Sequence, residues 1–100
     1  MHKMLFDVEM TDGTIHQDVR AILADQIKYS EVRARHKWPA MQNDPLRAMA
    51  FIAYAAMTRT GLYDAQKGFD DFTNDVAQLE MDESEETAPF MTGLDGASQS

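Results

Sequence analysis

One hundred residues with a formal charge of −8, no cysteine and no apolar run longer than Ala48 to Met57 describe a single acidic domain. Its composition excludes a disulfide framework and a thiolate metal site, and its longest apolar run is far below the ~20 residues that span a bilayer, so a cytosolic chain without a membrane span is expected. Through residue 81 nine bases face twelve acids, and the stretch from Asp82 adds five acids and no base, which gives little pull toward the phosphates of a nucleic acid.

The first element is a hairpin over residues 4–20. Phe6, Val8 and Met10 alternate with Asp7 and Glu9, the period-two pattern of a half-buried strand. Asp12-Gly13 then reads as a two-residue loop of the I′ kind. That register sets Met10 opposite Ile15, Val8 opposite Gln17, Phe6 opposite Val19 and Asp7 opposite Asp18. Two strands alone are marginal, so the hairpin is expected to lie on helices. Leu23, Ile27, Ser30, Ala34 and Trp38 recur at helical spacing and predict an inward stripe on a helix over 24–37, ended by Pro39. Asp44 as N-cap and Pro45 at the first helical position open a second helix over 45–60, and Gly61 suits the left-handed position that closes it.

This second helix, PLRAMAFIAYAAMTRT, is apolar on more than one side. At 100° per residue, Leu46, Met49, Ile52, Ala53, Ala56 and Met57 form one broad face, with Phe51 and Tyr54 on the other beside Arg47. A chain this short has few elements to cover both, so Phe51, Tyr54, Met57 and Arg47 are the expected partner-binding residues. Their surface would serve an oligomer or a client. Phe69, Phe72, Val76 and Leu79 predict a third helix over 69–80, with acids in its first turn that suit the helix dipole. The globular domain is thus expected to span 1–81, an α+β fold of one hairpin and three helices. From 82 to 100 acids, Ser, Thr and Gly predominate, the composition of a disordered tail; within it Pro89-Phe90-Met91 is the candidate docking segment.

No chemistry of turnover is legible. His2, His16 and His36 lack ligand spacing, there is no nucleophile elbow or phosphate loop, and Asp7 and Asp18 are expected to be solvated carboxylates. Neither a metal nor a cofactor is expected, and the protein is read as a non-enzyme. The basic residues Lys28, Arg33, Arg35 and Lys37 flank the apolar stripe of the first helix, where long stems cover apolar surface while their charges stay wet. Eight methionines fit both irregular core gaps and adaptable binding surfaces.

In this order, the Asp-Gly hairpin, ILADQIKYSEVRARHKWP, PLRAMAFIAYAAMTRTGLY and FDDFTNDVAQLE resemble the tail assembly chaperones of long-tailed bacteriophages, especially actinobacterial siphophages. The resemblance covers residues 4–81. It implies a protein of the infected host's cytoplasm, absent from the mature virion, that binds the tape measure protein and keeps it soluble until tail tube subunits polymerise around it. It further implies an oligomer and two translation products. The present sequence resembles the short one, and a longer, frameshifted one recruits the tail tube protein. Two competing readings are a small acidic phage-encoded inhibitor, an anti-defence or nucleic-acid mimic protein, and a structural adaptor retained in the virion.

Overall fold

The computed structural model describes residues 2–85, so the candidate segment at Phe90 and Met91 lies outside the described residues. The elements are β1 (His2–Met10), β2 (Ile15–Ala21), α1 (Leu23–His36), α2 (Pro45–Arg59), α3 (Phe69–Asp75) and β3 (Val76–Glu85). They form a mixed α+β fold with a three-stranded antiparallel sheet of order β2-β1-β3.

One element departs from expectation. The helix predicted over 69–80 stops at Asp75, and the chain continues as a strand that pairs with β1 from Met10↔Val76 to His2↔Glu85. Asp82, expected to begin a disordered tail, lies in that strand opposite Leu5. The apolar spacing Phe69, Phe72, Val76, Leu79 satisfies a helix, yet Leu79 and Met81 also alternate with Gln78, Glu80 and Asp82. The free edge of β1 decides for the strand. A two-stranded hairpin leaves that edge's donors and acceptors unpaired, whereas ten residues of β3 satisfy them.

The hairpin itself carries a bulge. Phe6 faces Val19 as expected, but Val8 faces His16 and Glu9 faces Ile15. Asp18 is the extra residue, with a left-handed φ of 58° that an aspartate tolerates better than most side chains. The Asp7 carboxylate accepts its N–H at 3.0 Å, so the pair expected to repel instead closes the bulge. The loop spans Thr11 to Thr14, with Asp12 accepting the Thr14 N–H at 2.9 Å. As a result Ile15 points to solvent.

Phe6 and Val8 of the central strand are fully buried in one cluster with Ile52, Ala53, Ala56 and Met57 of α2. The ends of α2 follow their sequence signals. Asp44 accepts the Arg47 N–H, Pro45 occupies the first turn, and Gly61 at φ 82° lets Leu62 donate to the Met57 carbonyl at 2.8 Å, a Schellman closure. The inward face of α1 differs from the predicted stripe. Leu23 and Ile27 are 69% and 49% exposed, while Asp25 and Tyr29 are buried. The cause is an ion pair in which an exposed arginine covers a buried carboxylate: Arg59 of α2 donates through Nε and Nη2 to the two Asp25 carboxylate oxygens at 3.1 and 3.0 Å and reaches the Arg20 carbonyl at 3.0 Å. The same carboxylate accepts the Ile22 N–H at 2.8 Å. A fork satisfied this fully orients α1, and the apolar stripe is turned out.

Candidate functional site: a groove over the central helix

The aromatic side of α2 is partly covered within the chain, contrary to expectation. Phe51 is 4% exposed and presents only an edge, and Met57 is fully buried. Leu46, predicted inward, is 64% exposed. Four aromatic residues make the difference. Trp38, Phe69 and Tyr54 lie with ring centroids 5.9, 5.1 and 5.5 Å from Phe51, and Tyr29 lies at 6.4 Å. Mostly tilted and edge-on, these are the favoured geometries for aromatic pairs.

The upper side of this cluster is open. A groove of about 990 Å³ runs along α2, lined from that helix by Leu46, Arg47, Ala50, Phe51, Tyr54 and Thr58. One rim is α1 with Lys28, Val32, Arg35 and His36; the other is α3 with Phe69, Asp70, Asp71 and Thr73. Both helices pack on α2, which makes α2 the floor. Trp38, Tyr54 and Phe69 are half-buried and form the apolar bed, to which the small side chain of Ala50 also contributes.

The floor is fixed by hydrogen bonds behind it. The Tyr54 hydroxyl donates to the Lys67 carbonyl at 2.8 Å. Burial, and secondarily the Asp71 carboxylate, raise its pKa above the ordinary tyrosine value, so it stays a donor. Behind it, Asp75 accepts from the Tyr63 hydroxyl at 2.7 Å and from Lys67 Nζ at 2.9 Å. The lysine and tyrosine hydrogen bonds hold the Asp75 carboxyl below the usual carboxylate range. Burial first and Asp75 second push the Tyr63 hydroxyl well above ordinary tyrosine. These groups anchor the 60–68 loop and α3 to the body. At the far end of the groove, Trp38 stacks on His36 at 5.4 Å and sits under the Arg47 guanidinium at 5.2 Å, while Arg47 also pairs with Asp44 at 3.3 Å.

Of the expected partner residues, Arg47, Tyr54 and the edge of Phe51 therefore come together in one groove, and Met57 does not line it. The sequence reading missed Trp38, Phe69 and Val32 as lining residues. A signal existed for α1, because Lys28, Val32 and Arg35 recur at helical spacing on the side away from Leu23. Among the described residues no three His, Cys, Asp or Glu side chains converge on a common point, and no helix is long and apolar enough to cross a membrane. Comparison with protein-family models, with curated proteins and with solved structures returns no match.

Proposed function

We propose that the protein is a non-enzymatic binding module of the tail assembly chaperone kind, which holds the tape measure protein of a long-tailed phage in soluble form until tail tube polymerisation. The observation that carries this reading is the groove over α2. It is apolar along its bed, charged along both rims and backed by a rigid aromatic cluster, the features of a helix-in-groove acceptor. A long apolar helix without a core of its own is a client such a groove suits. The resemblance over residues 4–81 supplies the identity of that client, and it extends the reading to an oligomer acting in the host cytoplasm and to a longer product that recruits the tail tube protein.

The test is co-expression with the tape measure protein. Soluble tape measure protein is expected to rise with the native chain and to fall back with Ala50→Arg, whose side chain fills the groove from a half-buried helical position while circular dichroism stays native. Equal solubilisation by both would count against the groove as the holding surface.

One observation favours the acidic-inhibitor reading as well. On the sheet face away from the helices Asp7 lies opposite Glu80, with Glu9 and Asp82 on the same face beside Lys3 and Arg20, so part of the negative charge lies on an ordered, though mixed, surface. Binding to a nuclease or repressor that weakens steeply with salt, and is lost in Asp7→Asn/Glu80→Gln, would support that second reading.

A further inference from the structure

The two rims of the groove carry opposite charge, and the charges are not spent inside the chain. On the α1 rim Lys28 and Arg35 are exposed and form no ion pair among the described residues. On the α3 rim Asp70 is exposed, and only its backbone carbonyl is engaged, by Thr73 and Asn74. Between them lies the half-buried bed of Trp38, Tyr54 and Phe69. A helix with its side chains is ~10 Å across and rises 1.5 Å per residue, so it displaces roughly 120 Å³ per residue. The groove's volume of about 990 Å³ is of the order of a few turns of such a helix, far more than a single side chain would fill.

Resting on the binding-module reading above, we infer that the groove takes a single amphipathic helix of a partner polypeptide, acidic along the flank that faces Lys28 and Arg35 and basic along the flank that faces Asp70. The apolar stripe of that helix meets the aromatic bed, and the rims decide how it lies. Turning a helix end for end in a groove exchanges its flanks. A charge-split groove therefore reads the direction of its occupant, which an apolar bed alone does not.

The chain's only tryptophan is Trp38, at one end of the groove, and it serves as the reporter. The probes are synthetic 18-residue helices with one Leu/Ala stripe: one with an acidic and a basic flank, one with the two flanks exchanged, and one with glutamine on both. Each carries a nitroxide quencher at its N-terminus or its C-terminus. The two charged peptides are expected to bind about five- to tenfold more tightly than the glutamine peptide at low salt, and this margin is expected to vanish at high salt. The two charged peptides should quench Trp38 from opposite ends. Lys28→Glu/Arg35→Glu, both at exposed positions, is expected to remove the margin between the charged peptides and the glutamine peptide.

Equal affinities at all salt concentrations, or quenching from the same end by both charged peptides, would overturn the charge-split inference while leaving a binding groove. No response of Trp38 to any peptide would instead remove the groove reading itself. A concentration-dependent dimer that excludes every peptide would assign the groove to a second copy and likewise overturn the inference.

Discussion

Phe51 and Tyr54 are three positions apart on α2 and belong to different environments. Phe51 touches aromatic rings of α1, the loop after it and α3, whereas Tyr54 is half-exposed and tied by one hydrogen bond to the Lys67 carbonyl. Phe51→Ala is accordingly expected to cost about 3–5 kcal/mol in urea unfolding, and Phe51→Asp to unfold the chain. Tyr54→Phe, which keeps the ring and removes one hydrogen bond, is expected to cost about 1 kcal/mol. A smaller loss for Phe51→Ala than for Tyr54→Phe would show that the burial assigned to the two is wrong. The caps at Asp44, Pro45 and Gly61 were legible in the sequence because capping is settled by side chains within a few residues. The side on which Phe51 lies was not legible, since it depends on Trp38 and Phe69, which approach from other elements. Likewise the inward turn of Asp25 needs Arg59, thirty-four residues further along the chain.

Among the elements, β3 was the hardest to foresee. Phe69, Phe72, Val76 and Leu79 fit a helical wheel, and the alternation from Gln78 to Asp82 competes with it over a few residues only. The demand of β1's second edge, a tertiary requirement, is absent from any local window. The strand carries more than pairing, because Leu79 and Val76 pack against the cluster that buries Phe6 and Val8. Truncation after Asp75 is therefore expected to abolish cooperative unfolding, while truncation after Glu85 removes no described element and is expected to leave the thermal midpoint within a few degrees of the full chain. Equal midpoints for the two truncations would deny β3 its place in the sheet. The groove has a similar history. Its floor was half visible as the Phe51 and Tyr54 side of α2, but its rims depend on how α1 and α3 lean on that helix.

At the scale of the whole molecule, acid stability has a defined direction. The Asp75 carboxyl, lowered first by Lys67 and then by Tyr63, contributes stability that is present above the unfolded-state value of about 3.9 and is lost as pH falls through its lower folded value. Asp12, lowered by its bonds to Thr14, acts in the same sense. The difference in thermal midpoint between the native chain and Asp75→Asn is therefore expected to be constant from about pH 6 to pH 5 and to shrink below about pH 4; a difference that grows on acidification would contradict the assignment. The order of the strands has a temporal consequence. The strand at the middle of the sheet is synthesised first, and one of its two neighbours is synthesised last, from residues 76–85. A nascent chain thus waits with one side of its innermost strand bare until nearly all of the described fold has left the ribosome. Joining segments so distant in sequence is slow for entropic reasons, and during that interval the unfinished product is itself in need of protection from aggregation.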